Sequence, residues 1–168
     1  MFKVKDIVIY TTEGLCKITE ICSQDFNGHS TDYYVLKPML SNRPTIFVPV
    51  DNEQLVERIR PVLSADEVHK LIKAMPDQET IWIENSNDRK KRYKEILSDS
   101  DHLELVSLIK TLYFYQEELQ DSGKKLHLAD KMFMEEAEKI LYEEFAYVLD
   151  IEPSQLIPLI VGVIEADE

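Results

Sequence analysis

Short apolar runs separated by turn residues fill the first fifty positions, and their spacing predicts β structure. Ile7-Val8-Ile9-Tyr10 is the first run, closed by Thr11-Thr12-Glu13-Gly14, where glycine can take a positive φ. Residues 15–22 form the second, with imperfect alternation. Asn27-Gly28 is the strongest hairpin signal in the chain, and residues 31–38 follow as a third strand. Asn42-Arg43-Pro44 then turns into a fourth, residues 45–50, in which Pro49 brings no ladder N–H and marks an edge. Four short strands at roughly ten-residue spacing predict a small, strongly bent sheet or barrel. Between residues 50 and 62 the hydrophobic period changes from two to about 3.6. One or two helical turns fit there, closed by Pro61. Ser64-Ala65-Asp66-Glu67 is a capping box that opens a helix carrying Val68, Leu71, Ile72 and Met75, with Pro76 just past its end.

Three helices are predicted after the apolar block Ile81-Trp82-Ile83. The first, over residues 88–97, turns Tyr93, Ile96 and Leu97 inward. Ser98-Asp99-Ser100-Asp101 is a break rich in N-cap residues. The second runs to about residue 120, with Leu105, Ile109, Leu112, Tyr113 and Gln116 on one face and Gly123 as its C-terminal stop. The third covers residues 128–149, with Phe133, Ala137, Ile140, Leu141, Phe145 and Val148 as its stripe. Neither stripe keeps a strict heptad, which points to bundle packing rather than a coiled coil. The tail is apolar; Pro153 suits a helix start, and Pro158 interrupts the pattern. The reading is α+β, with a β domain over residues 1–55 and a helical domain over 56–168.

Charge changes the picture. The chain of 168 residues carries a net −13, which excludes sequence-independent nucleic-acid binding by the whole surface. Residues 95–168 hold eighteen acidic against five basic side chains. Inside this acidic chain sits a basic knot, Arg89-Lys90-Lys91-Arg92-Tyr93-Lys94, seven positions after the single tryptophan, Trp82. The knot is either a solvated helix face or a contact site able to lay cations along a phosphate backbone. Trp82 is either a core plug or a flat surface able to stack or wedge.

Other chemistry is sparse. The four histidines (29, 69, 102 and 127) have no ligand-like spacing, and the four glycines are isolated, so neither a metal centre nor a phosphate loop is expected. The carboxylates Glu135, Glu136, Glu138, Glu143 and Glu144 read as the wet face of a helix. No enzymatic activity and no cofactor are expected. Cys16 and Cys22, six apart on one strand, stand too far from each other for a disulfide and read as small buried thiols. No apolar run is long enough for a membrane span, and the N-terminus lacks a signal-peptide core, so a cytoplasmic protein is expected.

Phe2-Lys3-Val4, Asp6, Val8, Tyr10, Glu13-Gly14, the Gly28 turn, Tyr34-Val35-Leu36-Lys37 and Val48-Pro49 together resemble the opening domain of the CarD family of bacterial transcription regulators, a domain shared with transcription-repair coupling factors. Arg92-Tyr93-Lys94, the Ser-Asp-Ser-Asp break and Leu141-x-x-Glu144 resemble the CarD helical domain. The resemblance covers residues 1–150 and leaves the tail outside. It implies a Tudor-like β-barrel that adds its edge strand to the β subunit of RNA polymerase. It also implies a helical domain that touches promoter DNA at the upstream edge of the melted region and modulates open-complex stability. The DNA-facing residues would be Arg89, Lys90, Arg92 and Lys94. The family's wedge tryptophan falls at Ser86 and an adjacent arginine at Asp88, with Trp82 four residues earlier. Two basic residues used against polymerase fall at Gln24 and Phe47; Arg43 and Lys37 lie nearby. Two other readings stand beside this one: a polymerase-binding protein without DNA contact, and an acidic adaptor for a basic partner. An exposed edge and a hinge near residues 50–62 also suit a domain-swapped homodimer.

Overall fold

The structure is a computed structural model that describes residues 2–166 other than 12 and 41. Thr12 of the first expected turn and the last two tail residues thus lie outside the described residues. The chain divides into two units, residues 1–62 and 63–168.

The first unit is an antiparallel sheet of β1 (Ile7–Tyr10), β2 (Gly14–Phe26), β3 (His29–Pro38), β4 (Ile46–Pro49) and β5 (Ile59–Pro61), with one helical turn, α1 (Glu53–Val56), between the last two. The order β4-β3-β2-β1-β5 leaves β4 and β5 as edges, so the expected barrel is a partly open one. Asn27 (φ 53°) and Gly28 (φ 82°) both take the left-handed conformation that a two-residue hairpin loop demands. A register shift between Ile18 and Glu20 marks a bulge in β2, the device that bends a strand. Val8, Tyr10, Cys16, Ile18, Tyr34, Leu36, Val48 and Ile59 fill the core of this unit.

Of the one or two helical turns expected up to Pro61, α1 supplies one, and the end of the stretch is the strand β5 instead. Its three residues pair with β1 (Val8 with Pro61, Tyr10 with Ile59), which carries the unit to residue 62 instead of 55. Cys16 is fully buried, and burial pushes its thiol up to about 11, whereas Cys22 is half-buried. Alkylation at pH 8 is therefore expected to modify Cys22 in the native protein and Cys16 only after unfolding; mass spectrometry of partly labelled protein checks this.

The second unit packs α2 (Ala65–Ala74), α3 (Ser86–Asp99), α4 (His102–Asp121), α5 (Leu128–Leu149) and α6 (Pro153–Ala166) around one core. The Ser64 capping box forms as read, with Ser64 Oγ accepting from Glu67 N–H and Glu67 Oε1 accepting from Ser64 N–H, both at 3.1 Å. This bonding holds the Glu67 carboxyl below its usual range. Ser100 (φ 54°) ends α3, and Asp101 caps α4 by accepting from Glu104 N–H. Gly123 (φ 72°) takes the left-handed stop after α4.

The buried stripe of α4 is displaced from expectation. Leu105, Val106, Leu108, Thr111 and Leu112 face inward, while Tyr113 is half exposed. The apolar tail is core: Leu156 and Ile160 of α6 join Val68, Ile72, Tyr93, Leu108, Leu141 and Phe145. Among the described residues, no helix is long and apolar enough to cross a membrane.

Candidate nucleic-acid and partner-docking surfaces

The basic knot lies on α3. Asn85 starts this helix, its Oδ1 accepting from the N–H groups of Asn87 (3.0 Å) and Asp88 (3.1 Å). Arg89, Tyr93 and Ile96 are its buried residues. At about 100° per residue, the opposite face centres on Lys91, with Asn87 and Ser98 above and below it and Lys90 and Lys94 on one flank. All five are exposed. The other flank carries Asp88, Glu95, Asp99 and Arg92. Cations thus occupy one side of the exposed face, and carboxylates line the other.

The knot does not act as one group. Arg89, expected to face DNA, is 5% exposed. Its Nε and Nη2 donate to Oδ1 and Oδ2 of Asp130 on α5, each at 3.1 Å. Its Nη1 donates to the carbonyls of Ile83 (3.0 Å) and Glu84 (3.4 Å). Every nitrogen of the guanidinium is committed inside the protein, so Arg89 is withdrawn from the exposed face of α3.

Arg92 is half-buried and partnered. Its Nη2 donates to Glu104 at 2.8 Å and its Nη1 lies 3.6 Å from Glu95. The Glu104 bond raises its already high pKa. A guanidinium matched by two carboxylates brings little net charge to a phosphate. Lys90 and Lys94 stay on the exposed face, joined by Lys91, which the sequence reading had not singled out. Its central place becomes visible once Arg89 and Tyr93 fix the inward direction.

Trp82 is half-buried against the helical core. Its indole lies 4.0 Å from the Tyr115 ring, tilted by 31°, and 4.6 Å from the Arg89 guanidinium carbon. Its N–H donates to Glu84 at 3.3 Å. With a phenol and a guanidinium both close to its centroid, little indole face is left to stack on a base or wedge between base pairs. Ser86, the family's wedge position, is exposed in the first turn of α3, where its small side chain has no surface to insert.

In the sheet unit, residues paired across strands share a face. Gln24 pairs with Thr31, Cys22 with Tyr33, Glu20 with Val35, and Tyr33 and Val35 in turn with Pro49 and Phe47. Gln24 and Phe47, the two positions expected to face polymerase, therefore lie on one face, opposite the core residues Tyr34, Leu36 and Val48. Phe47 is 49% exposed and meets Tyr33 edge to face at 6.4 Å.

Backbone direction adds to this. Val50 N–H donates to Asp32 C=O at 2.9 Å, so by alternation Val48 and Ile46 also point toward β3, while Phe47 and Pro49 point to the free edge. Pro49 brings no donor, and Asn52 N–H takes its carbonyl at 3.1 Å. Within β4, Phe47 presents a main-chain donor, a main-chain acceptor and an exposed aromatic ring. Arg43 sits outside the strands and pairs with Glu13 at 3.0 Å.

The carboxylate-rich face of α5 also differs from expectation. Glu135 and Glu136 are exposed, but Glu144 is 1% exposed. Its Oε2 accepts from Leu63 N–H and its Oε1 bonds His102 Nε2, both at 2.9 Å, tying the start of the helical unit to α4 and α5. Glu138 and Glu143 are half-buried, and burial raises both. Among the described residues, no three His, Cys, Asp or Glu side chains gather to hold a metal ion.

Two family models match the chain. Residues 2–63 match the model of the CarD-like/TRCF RID domain, and residues 68–160 match that of the CarD C-terminal domain. The second match extends through Leu156 and Ile160, so ten residues of the tail expected to lie outside the resemblance fall within it. With both domain models matched in order over nearly the whole chain, this protein belongs to the CarD family of RNA-polymerase-interacting transcription factors.

Proposed function

We propose that this protein docks on the β subunit of RNA polymerase through the free edge of β4, and that the lysine face of α3 contacts promoter DNA at the upstream edge of the melted region. Its effect is to modulate open-complex stability, and it carries out no chemistry of its own. The observation that carries the DNA half is the exposed Lys90, Lys91 and Lys94 on one side of α3, in a chain of net charge −13. Three lysines meet few phosphates, so polymerase supplies most of the affinity and the regulator adds a local contact. Phe47 supports the polymerase half, since an unpaired strand edge with a protruding ring suits strand addition.

A second reading, polymerase binding without direct DNA contact, is favoured by Trp82. A gripped indole and a serine in the wedge position leave no free aromatic ring among the described residues of the stretch that enters α3. The two readings part in one experiment. Size-exclusion chromatography with core polymerase is expected to show co-elution of the full chain. DNase footprints of promoter complexes are then expected to show extra protection upstream of the melted region. Co-elution without added protection selects the second reading, and no co-elution at low salt sinks both.

A further inference from the structure

Residues 78–85, between the 3-10 turn Met75–Asp77 and α3, form neither helix nor strand, yet many bonds fix this approach segment and the turn before it. Lys110 Nζ donates to the carbonyls of Pro76 (2.6 Å) and Gln78 (2.8 Å), and Ile81 N–H donates to Thr111 Oγ1 at 2.8 Å. Trp82 lies on Tyr115. Arg89 completes the arrangement, gripping Asp130 with two nitrogens and the Ile83 and Glu84 carbonyls with the third. One guanidinium therefore joins α3, α5 and the segment leading into α3.

Stability alone is a poor reason for this ion pair. Two apolar side chains of similar volume would often stabilise such a site as well or better. A leucine cannot bond two main-chain carbonyls in a segment that has no ladder of its own, whereas a planar five-donor group can.

We propose that Arg89 and Asp130 are positioning residues for the nucleic-acid face. They hold the approach segment and the first turn of α3 so that Asn87, Lys90, Lys91 and Lys94 keep a fixed orientation, and Trp82 is the packing surface of this clamp instead of a wedge into DNA. This rests on the proposed DNA contact of α3.

The test uses the full chain at concentrations that saturate polymerase. Arg89→Lys keeps the charge but loses the forked geometry, and Trp82→Phe keeps an aromatic surface without the indole. Helix content by circular dichroism, polymerase binding and open-complex lifetime are measured for each, and acrylamide quenching of Trp82 fluorescence for the wild type and the variants that keep the tryptophan. Arg89→Lys is expected to stay helical and bind polymerase, with Trp82 several-fold more quenchable and most of the lifetime effect gone; Trp82→Phe is expected to keep most of that effect. Asp130→Asn serves the same purpose should Arg89→Lys fail to fold. The proposal is overturned if the folded clamp variants expose Trp82 yet act on the lifetime as wild type does, or if Trp82→Phe loses the effect completely. The triple variant Lys90→Glu, Lys91→Glu and Lys94→Glu separates the two levels: should it act on the lifetime as wild type does, the DNA contact itself is wrong and the clamp has no such role.

Discussion

Arg89→Ala is expected to destabilise the helical unit by about 3–5 kcal/mol, as measured by urea denaturation followed through the helical signal. The size of the effect comes from what stays behind. Asp130 is 1% exposed and takes both charge-assisted bonds from Arg89, so the truncation strands a carboxylate in a low-dielectric site. The Tyr93 hydroxyl, fully buried and without a hydrogen-bond partner among the described residues, does not bond Asp130 as the side chains stand. Burial, followed by the Asp130 charge, already pushes Tyr93 up to about 12. A phenol held protonated beside a newly unpaired carboxylate offers it a donor only if the rings and α5 shift. The same truncation at Arg92 removes a half-exposed pair and is expected to cost about 1 kcal/mol or less. A loss at Arg89 no larger than that at Arg92 would mean that the Asp130 pair is solvated.

Phe47→Asp is expected to abolish polymerase co-elution, a loss of roughly thirtyfold or more in affinity, while leaving the fold intact. Phe47 is half exposed on an edge strand, and the core beneath it is made by Val48 and Ile46, which point the other way. Its cost to folding is therefore small. Its cost to docking is large, because a strand added at β4 would meet both main-chain groups of Phe47 and pack against its ring. Arg43→Ala is expected to change binding by no more than about twofold, since its guanidinium is already engaged with Glu13 at the surface. Gel filtration of the three proteins with polymerase orders these effects directly. Normal binding by Phe47→Asp would place the docking surface elsewhere on the sheet.

Local signals in the sequence were strong where one residue type answers one geometric need. The Asn27-Gly28 turn, the Ser64-to-Glu67 box, the caps at Asp101 and Gly123, and Pro153 at the start of α6 all appear where the chain placed them. β5 was not legible because three residues give no period, and its identity as a strand comes from pairing with β1, fifty positions away. The site was legible as a stretch but not as individual side chains. Spacing puts Arg89, Lys90, Lys91, Arg92 and Lys94 around one helix; it cannot tell which of them meets Asp130, 41 positions later, and is drawn inside. Glu144 hid for the same reason, since a glutamate among glutamates reads as solvent-facing until Leu63 and His102 meet it. In both cases a long-range partner overrode a pattern that composition alone would call surface.

In the proposed complex, a polymerase-docked regulator touches the promoter with the lysines of α3. The most direct measurement is the lifetime of promoter open complexes with wild-type protein and with the triple variant Lys90→Glu, Lys91→Glu and Lys94→Glu, both at concentrations that saturate polymerase. Wild type is expected to change the lifetime, and the triple variant, bound equally well, is expected to leave it as it is without the protein. A triple variant that binds polymerase and changes the lifetime as fully as wild type would contradict this contact.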